Sequence, residues 1–126
     1  MYSDAIEIRD RLEEILESIE LIQEWSTGMT ELRDFMISPN RVMAFNACVM
    51  RLQVIGEHVG KLLKDKGEVL EGYKDIPWNA IYGMRNIISH EYANIDEDIV
   101  VSVIHKDLPK LKPVIEELLH KYSPNS

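Results

Sequence analysis

Three side chains that can take part in chemistry lie within eight residues of one another, in the stretch RNIISHEY. Arg85 provides a guanidinium, whose planar fork can bind two oxygen atoms of a phosphate. His90 provides an imidazole, which titrates near neutral pH and can accept or donate a proton. Tyr92 provides a phenol, whose ordinary pKa of about 10 makes it a poor base at pH 7. The first two residue types suit acid–base chemistry at an anionic group, and the phenol needs a separate explanation.

A helical arrangement of this segment sorts its apolar and polar side chains onto different faces. At about 100° per residue, an arc of roughly 120° holds the apolar residues Ile81, Met84, Ile87 and Ile88. The border of that arc holds Arg85, Ser89 and Tyr92, and the opposite side holds Asn79, Gly83, Asn86 and His90. Arg85 and His90 are then about 140° apart on an ideal helix, too far to contact one atom from the same chain. Either the helix unwinds near His90, or two protomers of a symmetric dimer share the site.

A structural role explains the same residues. A histidine near a helix C-terminus often serves only as a partner of the helix dipole. An arginine beside a core face commonly pairs with an acid, and the chain has 22 acidic residues. The spacing alone therefore leaves catalysis and a structural role both open.

Helical periodicity in the rest of the chain predicts an all-α protein, a four- to five-helix up-and-down bundle that forms one domain over residues 1–126. Apolar steps of three and four predict long helices from Asp4 to Trp25 and from about Arg41 to Lys64. Between them we expect a short helix capped by Thr30, followed by a break at Ser38-Pro39-Asn40.

The residue pattern in the second half of the chain predicts two more helices. Pro77 suits the first turn of the helix that carries Arg85. The acidic cluster at 96–98 suits the start of a last helix that ends near Tyr122. Two prolines inside that helix predict a kink, or a restart capped by Asp107.

Two glycines four residues apart, Gly56 and Gly60, leave one face of the third helix without side chains. They cost about 1 kcal/mol each in helix propensity, but they permit another backbone to approach closely. We interpret them as a packing seam, whose partner is either another helix of the chain or a second protomer.

Composition limits the partners and the compartment. A net charge of −8 argues against a broad phosphate-binding surface and against DNA as a partner, so any contact with RNA must be local. The single cysteine, Cys48, excludes an internal disulfide, and His58, His105 and His120 lack ligand spacing, so we expect no metal and no cofactor. The N-terminus lacks the features of a signal peptide and no run is long enough to span a membrane, so we expect a cytoplasmic protein.

The motif and its surroundings resemble a known family. Arg85, His90 and Tyr92 match the R-x4-H-x-Y signature of the HEPN superfamily, specifically of the HepT-like toxins encoded beside a minimal nucleotidyltransferase antitoxin. The blocks IPWNAIYGMRNIISHEYANID, VIGEHVGKL and DLPKLKPVIEEL also resemble the family. The third helix departs from it at His58 and Gly60.

This resemblance implies a metal-independent endoribonuclease that acts as a homodimer, with Arg85 and His90 as the catalytic residues. RNA supplies its own nucleophile, the 2′-hydroxyl, so the protein needs a proton acceptor, a proton donor and a cation. Asn86, one turn before His90, is the candidate for orienting the imidazole or binding substrate.

For Tyr92 the resemblance implies modification, because the partner nucleotidyltransferase of the family transfers adenylyl groups from ATP to this tyrosine. Tyr92 lies about 10 Å along the helix axis from Arg85, on nearly the same face. A phosphodiester on Tyr92 would therefore imitate bound RNA. Packing at the helix end is the structural alternative.

A function of a different class is also open. The chain could be a non-catalytic regulatory subunit of a nucleotidyltransferase that uses the same cleft to hold a nucleotide or substrate. The acidic composition slightly favours this alternative, although an acidic surface would also limit indiscriminate RNA binding by an enzyme.

Overall fold

The computed structural model describes the backbone of residues 2–90 and 96–123, and the side chains of residues 4–85 and 96–123. No strand occurs in these ranges. The α-helices in chain order are α1 (Tyr2–Trp25), α2 (Leu32–Phe35), α3 (Pro39–Asp65), α4 (Trp78–His90), α5 (Glu97–Ser102) and α6 (Leu108–Lys121). A π-helical turn, Val103–Asp107, joins α5 to α6 without a break, so these three segments form one long rod. The described residues thus contain five helical rods, which confirms the predicted all-α class.

The core consists of the apolar stripes that the periodicity predicted. Every predicted stripe position of α1 and α3 is buried, as are the four of α6. They are Ile8, Leu12, Ile15, Ile19 and Ile22 in α1, Phe45, Cys48, Leu52, Ile55, Val59 and Leu62 in α3, and Leu108, Leu111, Ile115 and Leu118 in α6. On α4, Ile81 and Met84 are buried, and the side chains of Ile87 and Ile88 lie outside the described residues.

Two predicted boundaries in the first half are wrong, for local hydrogen-bonding reasons. The cap of α2 is Glu31 rather than Thr30, because Asp34 lies three residues after Glu31 and its carboxylate accepts from the Glu31 N–H at 2.9 Å, as in a capping box. The same carboxylate also accepts from the N–H of Thr30 at 2.9 Å. The break before α3 covers residues 36–38 and ends at Ser38, whose hydroxyl accepts a hydrogen bond from the N–H of Arg41 at 3.2 Å. Pro39 belongs to the helix, since a proline in the first turn loses no intrahelical hydrogen bond.

The helix with Arg85 also begins one residue later than predicted. Pro77 lies just before α4, and its carbonyl accepts a hydrogen bond from Ile81 N–H at 3.0 Å. The indole N–H of Trp78 donates to the carbonyl of Tyr73 at 2.9 Å, which ties the start of α4 to the preceding loop. At the next helix start, the Asp96 carboxylate accepts from the N–H of Asp98 and Ile99, as the acidic cluster predicted.

The last rod widens where a kink or a capped restart was expected. Asp107 has helical backbone angles and its side chain caps nothing, so the predicted restart is wrong. Instead the N–H of Leu108 donates to the carbonyl of Val103, five residues earlier, as in a π-helix. Because Pro109 has no N–H and its ring crowds the previous turn, the wider turn accommodates it while the helix continues.

Helix α3 lies at the centre of the arrangement and positions the candidate site. It packs against α1 on one side and against α4 on another, and α1 packs in turn against α6. The linker between α3 and α4 contains a short 3₁₀ turn, Gly67–Val69, and buries Val69 and Leu70. The linker is thus anchored in the core, and α4 packs along α3. This packing brings the two glycines of α3 against the helix that carries Arg85.

Candidate functional site

The position of Arg85 is set by a close approach between α3 and α4. A Cβ atom added at Gly56 would lie 3.1 Å from Arg85 Cβ, 3.2 Å from Arg85 N and 3.2 Å from the carbonyl oxygen of Ile81. Two of these three atoms belong to the α4 backbone, so any side chain at position 56 would press α4 away. The predicted packing seam is confirmed, and its partner is α4 of the same chain rather than a second protomer.

One turn along the same seam, Gly60 lies against the aromatic ring of Tyr82. A Cβ atom at position 60 would overlap the Cδ1–Cε1 edge of that ring, with both carbon atoms closer than 2.5 Å. The guanidinium carbon of Arg85 lies 6.0 Å from the ring centroid. Tyr82 and Arg85 are three residues apart, so they share one face of α4. The two glycines thus allow Tyr82 and Arg85 of α4 to pack side by side against α3.

These residues line an open cleft of about 260 Å³ between α3 and α4. Its charged lining residues are Lys61, Lys64, Arg85 and Glu57, which gives three cations and one carboxylate. Arg85 is half-buried, and the two lysines are exposed. A chain with a net charge of −8 therefore carries a locally positive cleft around Arg85, which suits an anionic ligand held in one place.

The four predicted site residues differ in what the structure describes of them. Arg85 is described in full and lines the cleft. Asn86 and His90 lie in α4, whose backbone stays helical as far as His90, but their side chains are outside the described residues. Tyr92 lies in the undescribed stretch 91–95. The choice between local unwinding beyond His90 and a site shared by two protomers therefore stays a prediction.

The sequence analysis missed four residues of the cleft: Glu57, Lys61, Lys64 and Tyr82. A signal for the lysines was present, because both follow the two glycines on the exposed face of α3. The sequence could not show that α4 would lie on that seam, since 20 or more residues separate the lysines from Arg85.

The structure gives separate roles to His58 and Gly60, the two residues at which α3 departs from the family pattern. Gly60 supports the Tyr82 ring, and His58 faces α1 instead of the cleft. The guanidinium of Arg11 donates a hydrogen bond to Nδ1 of His58 at 3.2 Å, since arginine has no acceptor atom. Partial burial and the Arg11 charge lower the pKa of His58, which keeps the ring neutral and able to accept.

No helix in the described part of the chain is long and apolar enough to cross a membrane. The fold and the cleft of this chain define a class of protein: an all-α bundle with a positively charged cleft between α3 and α4. The chain belongs to the family described as Ribonuclease HepT-like, which it matches over residues 15–118. The resemblance to the HepT-like family that was drawn from the sequence is thereby confirmed.

Individual relatives carry ribonuclease names. A protein of Methanocaldococcus jannaschii, named as a gamma-glutamylcyclotransferase and candidate RNase, is 34% identical over 94% of this chain, and the chain spans 50% of that relative's length. A candidate RNase of Caldanaerobacter subterraneus is 35% identical over 90% of this chain and 95% of its own length. A Thermococcus cleftensis protein named "Probable ribonuclease HepT" is 29% identical, over 87% of this chain and 94% of its own. No solved structure matches the chain.

Proposed function

We propose that this protein is a metal-independent endoribonuclease, and that Arg85 and His90 carry out the cleavage. The observation that supports this most is the half-buried Arg85 in a positive cleft of an acidic chain, together with membership of a family described as ribonucleases. A guanidinium in such a cleft can bind two phosphate oxygens and stabilise the charge that develops on phosphorus.

The reaction uses the nucleophile that RNA contains. His90 accepts the proton of the 2′-hydroxyl, O2′ attacks the adjacent phosphorus, and the bond from phosphorus to O5′ breaks. A second His90 or a water molecule protonates O5′, which leaves a 2′,3′-cyclic phosphate on one fragment and a 5′-hydroxyl on the other. Asn86 orients the imidazole or contacts the substrate. A positioned histidine contributes typically 10²–10⁴ in rate.

We propose a homodimer with the site at its interface. Arg85 and His90 are about 140° apart on an ideal helix, and α4 is helical as far as His90. An Arg85 from one protomer and a His90 from its partner can reach one phosphate where a single helix cannot. A two-fold axis would then supply two histidines, one as base and one as acid.

We further propose that the protein is the toxin of a toxin–antitoxin pair in the cytoplasm. Its partner is a minimal nucleotidyltransferase, which adenylylates Tyr92 and so silences the ribonuclease. The phosphodiester on Tyr92 would occupy the anion site of Arg85. A Tyr92→Phe protein that the partner still silences covalently at that position would refute this part.

The alternative, a non-catalytic subunit that holds a nucleotide, has one specific observation in its favour. Three cations and an aromatic ring around about 260 Å³ also suit a nucleotide with several phosphates. The two functions differ in whether RNA is cut.

The decisive experiment incubates labelled RNA with the unmodified protein in EDTA. We expect cleavage by the parent and by Arg33→Ala, a matched control that removes an exposed arginine away from the cleft. Arg85→Ala and His90→Ala should each lose at least about 10²-fold in rate while keeping helicity and dimer mass. A 3′-hydroxyl at the cut end would contradict the mechanism, and equal activity in Arg85→Ala would contradict the site. Failure of the parent to cut several RNAs, combined with nucleotide binding, would favour the alternative.

A further inference from the structure

We propose that the cleft beside Arg85 is a subsite for single-stranded RNA, in which Tyr82 stacks on a base next to the cleaved bond and Lys61 and Lys64 hold flanking phosphates. This inference rests on the proposed ribonuclease function and specifies how the substrate is held. It assigns a substrate-binding role to three residues that the R-x4-H-x-Y signature does not contain.

The position of the Tyr82 ring is the first argument. A glycine in the interior of a long helix disfavours that helix, and Gly60 is the position at which the ring edge lies on α3. The ring edge packs closely on α3 at this position, yet 36% of the residue stays exposed and it lines the cleft. A tyrosine has few rotatable bonds, so an ordered and exposed ring can stack on a base at a low cost in conformational entropy.

The arrangement of the two lysines is the second argument. Lys61 and Lys64 are three residues apart on α3, about 4.5 Å along the axis, and both side chains point to one side of the helix. Neither forms an ion pair within the described residues, whereas Lys66 and Lys112 pair with Asp4 and Glu20. Their ammonium groups are thus available to a ligand in the cleft.

The combination of charge and aromatic ring selects the kind of ligand. Cations placed beside an exposed aromatic ring are the usual means of binding single-stranded nucleic acid without reading its sequence. Stacking needs an unpaired base, so a duplex would not reach the Tyr82 ring. Because the cleft brings three cations together on a chain with a net charge of −8, we expect the strand to be bound over a few nucleotides around the cut and not along its length.

The salt dependence of binding follows from the number of cations. Three cations on a single strand predict that the logarithm of the affinity falls with the logarithm of salt concentration with a slope of about −2. Removing both lysines should bring the slope to about −0.7. Removing the ring should lower affinity by about 5- to 140-fold and leave the slope unchanged.

The test measures binding of a fluorescent single-stranded 2′-O-methyl RNA, which lacks the nucleophile and cannot be cut. Tyr82→Ala and Tyr82→Leu should both bind weakly, and Tyr82→Phe should bind within about twofold of the parent, since it keeps the stacking ring. Leucine still covers Gly60, so it separates stacking from packing. Lys61→Gln/Lys64→Gln should reduce the salt slope, and Lys106→Gln/Lys110→Gln, an equal charge change on another helix, should not.

The outcome separates this inference from the function on which it rests. Suppose that the parent cuts RNA, that Arg85→Ala does not, and that the Tyr82 and lysine variants bind like the parent. The ribonuclease would then stand and the subsite would be overturned. Equal losses in Tyr82→Phe and Tyr82→Leu would also overturn the stacking role. A parent that neither binds nor cuts RNA would overturn both proposals.

Discussion

The contact between Gly60 and Tyr82 allows a quantitative test of how the cleft is built. The perturbation is Gly60→Ala, made once in the parent and once in Tyr82→Ala. In the parent the new methyl group would overlap two ring carbons of Tyr82, so the ring must leave its position. In the Tyr82→Ala background that obstacle is gone, and the methyl group meets no ring.

Gly60→Ala should change the free energy of unfolding in opposite directions in the two backgrounds. Alanine is better than glycine in a helix interior by about 1 kcal/mol, so Gly60→Ala should stabilise the Tyr82→Ala protein by about that amount. In the parent, turning the ring off its rotamer costs about 0.5–1.5 kcal/mol. Losing the exposed contact with Arg85 costs about 0.5–1 kcal/mol more. The net effect in the parent is between about 0 and 1.5 kcal/mol of destabilisation, which gives a coupling energy of about 1–2.5 kcal/mol.

The four proteins of this double-mutant cycle are the parent, Gly60→Ala, Tyr82→Ala and the double variant. Their free energies of unfolding are measured by urea unfolding followed by far-UV circular dichroism, at one protomer concentration because assembly shifts apparent stability. Gly83→Ala is the matched control: it lies in α4, and a Cβ atom there would meet nothing within 4 Å. It should stabilise both backgrounds by about 1 kcal/mol. If Gly60→Ala also stabilised both backgrounds equally, the ring would not lie on Gly60 and the description of the cleft would be wrong.

Two further predictions concern titratable groups outside the cleft. Because the pKa of His58 is lowered in the folded chain by partial burial and Arg11, the unfolded chain binds more protons, so stability should rise with pH. This contribution is full above about pH 6.5 and is lost as the pH falls from there through the lower pKa of the folded chain. His58→Gln, which keeps an acceptor for Arg11, should make the urea midpoint depend less on pH below about 6.5 than it does in the parent. Burial raises the pKa of Cys48 to about 11, so iodoacetamide at pH 8 should label this thiol only after unfolding. Rapid labelling of the native protein, at the rate of an exposed cysteine, would contradict the buried position.

The local features of this protein were readable from its sequence. A stripe of apolar residues at steps of three and four has one low-energy solution, a helix with that stripe buried, so the cores of α1, α3 and α6 were predicted correctly. Arg85 and His90 were singled out for the same reason, since both lie in α4. Errors were confined to helix ends and to the π turn, where individual hydrogen bonds and a missing proline N–H decide the outcome.

Only the tertiary structure decided how the cleft is composed. Periodicity identifies the buried face of a helix but not its partner, and so Gly56 and Gly60 were compatible with either α4 or a second protomer. The close approach of α3 and α4 depends on interatomic distances of a few ångströms, which no sequence pattern specifies. That approach brings Lys61 and Lys64 to Arg85, because side chains far apart in sequence become neighbours only when their helices pack. Helix packing also brings His58 to Arg11, 47 residues away. His58 therefore faces α1, although it lies between the two glycines that face α4.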